Sequence, residues 1–209
     1  MKLKHFSRLL LVALTALISS TPRTLFAQHS VDPATLNPPV PPQFNPVCKS
    51  VGAGTICTVQ FSDPPFAGGS GVICGTGAGT YEVFQTQNRS VNGHRYYDQN
   101  GNLTRRLFHE VDTGTFSNPL TNKAVFFSGG GTTLDDLSIP GDINSGSESF
   151  TGPFRVFLPR GGVVVFEAGR FVFSGDGNSV ISESGPHPFF DYFELGDTAA
   201  LQPLCDALR

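Results

Sequence analysis

The sequence has no tryptophan, a single methionine and few basic residues for its length of 209. Four of its 14 lysines and arginines, Lys2, Lys4, Arg8 and Arg23, lie before residue 28, which leaves 10 basic residues against 17 acidic ones. From residue 28 onward the chain therefore lacks the basic cluster that binds nucleic acid by counter-ion release or that attracts anionic membranes. We expect neither nucleic acid nor a membrane surface as a partner.

Long apolar runs are also scarce. The run Leu9–Ile18 follows a basic start and is shorter than the ~20 residues that a membrane span requires. It precedes Leu25-Phe26-Ala27, which has the small residue at the cut that a signal peptidase needs. These features predict a signal peptide over residues 1–27, cleavage near Ala27 and a secreted protein without a membrane span.

The four cysteines have no Cys-x-x-Cys or Cys/His spacing, so the sequence predicts no metal site and no cofactor. An even number of cysteines in an exported chain favours two disulfides. Three pairings are possible among Cys48, Cys57, Cys74 and Cys205. We favour Cys57–Cys74 across a predicted hairpin and Cys48–Cys205 between the two ends of the domain.

Three regions follow from these patterns: the signal peptide, a proline-rich segment over residues 28–47 and a disulfide-stapled β domain over residues 48–209. Proline has no backbone donor and resists helix formation, so the second region is predicted to be a flexible leader. In the third, short strand-like runs alternate with Gly-rich turns such as Asn100-Gly101, Gly129-Gly130-Gly131 and Ala168-Gly169. The pattern predicts an all-β fold, a single antiparallel β-barrel or alternatively a β-sandwich. One short C-terminal helix is expected over Asp197–Leu208, where leucines recur at helical spacing.

Several local strings resemble segments of a group of exported bacterial proteins of unknown activity, mostly from actinobacteria and their soil neighbours. The strings are Leu103–His109, Gly114–Pro119, Val156–Val164 and Glu167–Arg170, together with the surroundings of Cys74 and Cys205. The resemblance covers most of the region from Cys48 to Leu208. It implies a β-rich exported protein and implies no catalytic residue.

A cluster of polar side chains offers a candidate binding site. If Leu103–Val111 is a strand, Arg105 and His109 share one face with three aliphatic residues. A hairpin at Asn100-Gly101 brings His94 and Tyr96 near them. Inside a barrel, such a cluster could bind an anion or exchange protons. The competing interpretation is a set of partly exposed side chains paired for structural reasons.

We therefore expect a secreted, non-enzymatic module that binds a small ligand or a surface macromolecule. A Phe-lined interior suits an apolar ligand, and loops rich in Gly, Ser, Asn and Asp suit a carbohydrate. The alternative is an enzyme of the cyclase or isomerase type that uses His94, Tyr96, Arg105 and His109 in a barrel interior. A structural protein of the cell envelope is a third possibility. The sequence indicates no oligomeric state.

Overall fold

The computed structural model describes residues 29–209. The predicted signal peptide, residues 1–27, lies outside the described residues. The described chain contains nine strands, two short α-helices and three single-turn 3-10 helices. The strands are β1 (Val47–Val51), β2 (Gly54–Ser62), β3 (Phe66–Cys74), β4 (Tyr81–Tyr97), β5 (Leu103–Ser117), β6 (Ala124–Asp136), β7 (Ser147–Phe157), β8 (Val163–Ser174) and β9 (Val180–Ser184). The helices are α1 (Pro188–Glu194) and α2 (Gln202–Leu208), and the 3-10 turns are Pro33–Thr35, Pro42–Phe44 and Gly77–Gly79.

All nine strands belong to one antiparallel sheet, which confirms the all-β prediction. The order is β1-β2-β4-β5-β6-β7-β8-β9, and β3 pairs with the first half of β4 while β2 pairs with its second half. Among the described residues, no strand pairing joins β1 or β3 to β8 or β9, so the sheet is open along that side. The structure therefore has one sheet, where a sandwich requires two.

Several predicted turns lie inside strands. The Asn100-Gly101 hairpin is confirmed, with Gly101 at φ 78° and Asp98 accepting its N–H at 3.1 Å. Gly129–Gly131, in contrast, is an internal part of β6, and Ala168-Gly169 is an internal part of β8. β6 therefore continues beyond the glycines that were predicted to end it, and β8 is one strand where a turn was predicted.

Packing of phenylalanine rings over these glycines explains how the strands continue through them. On the inner, buried face of the sheet, glycines on one strand lie under phenylalanine rings of the next. A Cβ on Gly129 would lie 2.5 Å from the Phe154 ring, and one on Gly131 would lie 2.5 Å from the Phe150 ring. Gly93 under Phe108 and Gly114 under Phe127 repeat the arrangement. Aromatic cover of strand glycines lets the sheet bend without losing its packing.

The C-terminal region forms two helices instead of one. α2 begins at Gln202 with Pro203 in its first turn, where a missing N–H costs nothing. The predicted leucines are confirmed as its buried face, because Leu201, Leu204 and Leu208 are each 0% exposed. The other helix, α1, was not predicted, since its seven residues are too few to establish a helical period.

α1 lies between the two unpaired sides of the sheet. The backbone N–H of Ile73 in β3 donates to the Tyr192 hydroxyl at 2.8 Å. The backbone N–H of Phe189 donates to the Glu167 carboxylate in β8 at 3.1 Å. One helix therefore contacts both β3 and β8 and covers the opening between them.

The predicted cysteine pairing is wrong. The disulfides are Cys48–Cys57 and Cys74–Cys205. The reason is that residues 47–51 form a strand that the sequence did not indicate, which places Cys48 directly opposite Cys57 in the β1–β2 ladder. Cys74, at the end of β3, therefore forms its disulfide with Cys205 in α2. The second bridge closes a separation of 131 residues and contributes roughly 5 kcal/mol on the chain-entropy estimate. Both bridges suit an extracellular or otherwise oxidising environment.

The proline-rich segment is docked on the sheet along residues 29–46. Leu36 and Val40 are buried at 6% and 3% exposure. The backbone of Asn37 exchanges hydrogen bonds of 2.8 Å with Gly101 and Leu103, and the Tyr97 hydroxyl donates to the Pro38 carbonyl at 3.2 Å. The segment predicted as a leader thus contributes to a hydrophobic cluster with β2, β4 and the start of β5.

Candidate functional site

Strand alternation decides which side chains reach the interior of the sheet. In β4 the odd-numbered residues from Val91 to Tyr97 are buried, with Arg95 at 5% exposure. In β5 the inward residues include Arg106, Phe108 and Glu110, which line the same cavity as Arg95. Because side chains alternate strictly along a strand, the residues between them point to the outer face.

Four ionisable side chains form one row across the inner face, which we call the charged row. Arg95 in β4 lies opposite Arg106 in β5, and Arg106 lies opposite Asp135 in β6. Asp135 lies opposite Glu148 in β7. Directly opposed residues have Cβ atoms about 5 Å apart, so the four residues are neighbours on the inner face.

The charged row borders a cavity of about 470 Å³, which we call the charged cavity. Six phenylalanines supply most of its apolar wall: Phe44, Phe61, Phe108, Phe150, Phe171 and Phe173. The Phe44 and Phe61 rings stack with centroids 4.3 Å apart. The docked proline-rich segment therefore forms part of the cavity, since it carries Phe44.

Arg106 and Asp135 form a buried ion pair. Arg106 Nε lies 2.7 Å from Asp135 Oδ2, and the Asp135 side chain is 6% exposed. The angles of this contact do not meet those of a hydrogen bond, and both carboxylate oxygens of Asp135 lack a hydrogen-bond partner among the described residues. The pair has charge complementarity without a hydrogen bond of good geometry.

Arg95 has no carboxylate directly opposite it in the row. Its buried Nε–H has no hydrogen-bond partner among the described residues, and its guanidinium carbon lies 5.6 Å from the centre of the Tyr97 ring. Burial lowers the pKa of Arg95 and raises the pKa of Tyr97. An arginine nevertheless keeps its charge in proteins, so a buried cation remains beside a second arginine.

Glu148 is a partly buried acid of the row with a raised pKa. Burial raises its pKa, and the neighbouring Asp135 carboxylate raises it further. A protonated Glu148 leaves the row with two positive charges and one negative charge. At the edge of the cavity, by contrast, Arg89 is matched by two acids: its Nε lies 2.9 Å from Glu110, and its Nη1 lies 2.9 Å from Asp63.

A second cavity of about 240 Å³, which we call the apolar cavity, lies next to α1. Its wall is formed mainly by Val72, Phe116, Phe150, Phe154, Phe189 and Phe193. Phe150 belongs to the walls of both cavities. The one acid of the apolar cavity is Glu167, whose pKa is raised by burial, and its carboxylate accepts the Phe189 N–H.

The candidate residues from the sequence lie on the outer face. Tyr96 and Arg105 are directly opposite each other, and the rings of His94 and Tyr96 have centroids 6.2 Å apart. His109 lies further along β5, where its Nδ1 contacts the Thr132 hydroxyl at 2.9 Å. The structure therefore brings His94, Tyr96 and Arg105 together, but on the face opposite to the charged cavity.

A β-bulge explains why the face was assigned wrongly. Tyr97 pairs with Leu103 and Tyr96 pairs with Arg105, which leaves Thr104 as an extra residue. Such a bulge reverses the alternation, so the buried Leu103 shares its face with Arg106 and not with Arg105. Counting every second residue from Leu103 therefore selected outward side chains. Arg95 and Arg106, which line the charged cavity, become recognisable as neighbours only when the hairpin register is known.

Within residues 29–209, no group of three or more His, Cys, Asp or Glu side chains is placed to hold a metal ion. Each helix in that range falls short of the length and apolar character needed to cross a membrane.

The fold and the cavities define a class: a single open antiparallel sheet whose inner face holds a buried charged row among phenylalanines. Comparison of the chain with protein-family models, with curated proteins and with solved structures finds no match. The function is therefore argued from the cavity itself.

Proposed function

We propose that the protein is a secreted, non-enzymatic binding protein that holds a small organic anion in the charged cavity. The predicted signal peptide and the two disulfides support the secreted location. Small-molecule sites are typically concave, largely apolar and equipped with a few convergent polar groups. The charged cavity has this composition, with phenylalanines as walls and the charged row as the polar group.

The observation that carries the proposal is Arg95. A buried guanidinium with an unpaired Nε–H is costly. The guanidinium of Arg106 in the next strand adds like-charge repulsion on the same face. A carboxylate or sulfonate in the cavity that Arg95 lines would accept hydrogen bonds from its guanidinium and offset the charge that no acid directly opposite it balances.

We further propose that α1 makes the open sheet function as a barrel. Its contacts with Ile73 and Glu167 span the two unpaired sides. Enclosure of this kind excludes water from the inner face, where charge–charge interactions are then stronger than in solvent.

The proposal predicts that Arg95→Met weakens the binding of an anionic aromatic probe, anilinonaphthalene sulfonate, by at least tenfold. The loss of one charge-assisted hydrogen bond and one positive charge accounts for that magnitude. Fluorescence titration of the mature chain measures it, with thermal unfolding as the check that the variant folds.

Arg105→Met is the matched control, because Arg105 lies on the outer face and pairs with Asp136. We expect its affinity for the probe to equal that of the natural chain. Equal losses in the two variants, or a loss in the Arg105 variant alone, would contradict a site at Arg95.

A further inference from the structure

The charged cavity and the apolar cavity share a wall. Both include Phe150, which lies on β7 two residues beyond Glu148 of the charged row. Phe154, on the same strand and the same face, lines the apolar cavity. At about 3.3 Å per residue, the distance from Glu148 to Phe154 along β7 is about 20 Å. The two cavities are therefore consecutive along the inner face.

The lining becomes less polar from the charged cavity to the apolar cavity. The charged row lies at one end. The far end is mainly apolar, with Val72, Phe116 and Phe189 beside the uncharged polar side chains of Ser70 and Gln85. The one acid there, Glu167, already accepts the Phe189 N–H, and burial raises its pKa. The apolar cavity thus offers little to a polar ligand and much to a hydrocarbon group.

We infer that the ligand is an amphipathic monocarboxylic acid whose head lies at Arg95 and whose hydrocarbon tail passes Phe150 into the apolar cavity. This inference rests on the proposed function and specifies its ligand class. Arg95 and Glu148 line the same cavity, so the distance of about 20 Å from Glu148 to Phe154 favours a longer unbranched chain over a short one. An apolar cavity of even about 150 Å³ can hold a ring the size of benzene, so the 240 Å³ beside α1 is sufficient for several methylene groups.

The first test compares two acids with the same head group. We expect dodecanoate to bind the mature chain at least a hundredfold more tightly than hexanoate in calorimetric titration, because its additional methylene groups leave water. Equal affinities for the two acids would overturn the tail site and leave the proposed head site standing. No binding of either acid would contradict the proposed function itself.

A cavity-filling variant locates the tail. Ser70, in β3, is half-buried and lines the apolar cavity. We expect Ser70→Phe to reduce dodecanoate affinity by at least tenfold and to leave hexanoate affinity unchanged. Ser128→Phe is the control, because Ser128 is exposed on the outer face of β6. Unchanged dodecanoate affinity in a folded Ser70→Phe variant would refute the inference.

A measurement on the natural chain avoids dependence on that variant. A dodecanoate analogue with a diazirine at its terminal carbon should, on illumination, label the peptide that contains Phe189 and Phe193. Labelling confined to outer-face residues, such as those around His109, would overturn the tail site.

Discussion

Arg95 is 5% exposed and lies directly opposite Arg106 in the neighbouring strand. Two further members of the row, Asp135 and Glu148, are acids side by side on adjacent strands. Like charges directly opposite each other destabilise a sheet. Residues that violate a local rule of stability are concentrated at functional sites. The charged row contains two such violations, the Arg95–Arg106 pair and the Asp135–Glu148 pair.

The acid pair leads to a prediction about stability and pH. Glu148 faces Asp135 directly, with Arg106 and Glu110 as the other charged groups that affect it. Its pKa is raised in the folded chain, so the folded state binds the proton more tightly than the unfolded state does. The stabilisation from that proton is present at acidic pH and is lost as pH rises through the raised pKa. We therefore expect Glu148→Gln to raise the melting temperature at pH 7 but not at pH 4.

Glu183→Gln provides the comparison for this measurement, since Glu183 is exposed on β9. Its melting temperature should follow that of the natural chain at both pH values. If Glu148→Gln destabilises the protein at pH 7, the Glu148 carboxylate makes a favourable interaction there and our account of the acid pair is wrong.

Most individual strands could be predicted from the sequence, but the continuity of the long ones could not. Glycine normally interrupts a strand, so Gly129–Gly131 was interpreted as a turn. In the structure those glycines lie under rings that come from a different strand, Phe150 and Phe154. That compensation depends on a pairing that is non-local in sequence. For the same reason, the 24 glycines and 19 phenylalanines of the sequence favoured β structure but did not indicate which ring packs over which glycine.

The glycine–phenylalanine arrangement predicts an unusual cost for a small substitution. A Cβ at Gly131 would lie 2.5 Å from the Phe150 ring and 2.8 Å from the backbone oxygen of Thr151. Because the backbone oxygen cannot move freely, we expect Gly131→Ala to lower the free energy of unfolding by about 1–3 kcal/mol. Urea denaturation measures the change.

Gly79→Ala is the control for this substitution, because a Cβ at Gly79 would meet nothing within 4 Å. We expect it to be neutral or slightly stabilising, since alanine restricts the unfolded chain. A Gly131 variant as stable as the Gly79 variant would show that the ring does not pack against the glycine as described.

At the scale of the whole molecule, the candidate site includes two chain segments that the sequence patterns did not assign to any site. The proline-rich segment supplies Phe44 to the charged cavity, and α1 supplies Phe189 and Phe193 to the apolar cavity. The disulfide between Cys74 and Cys205 attaches α2 to the sheet beside them. Proline spacing and short aromatic runs carry no periodic signal, so neither segment could be assigned to the site. The same limit applies to Arg95 and Arg106, which only the hairpin register brings together.

The central claim is that Arg95, on the inner face, contacts the anionic head of the ligand. The most direct test is NMR of the arginine Nε–Hε signals during titration with dodecanoate, with Arg95 and Arg105 assigned from their lysine variants. The account predicts a saturable shift of the Arg95 signal, because the anionic head binds beside its guanidinium, and an unchanged Arg105 signal. An unchanged Arg95 signal at saturating dodecanoate, or a shift confined to Arg105, would contradict it.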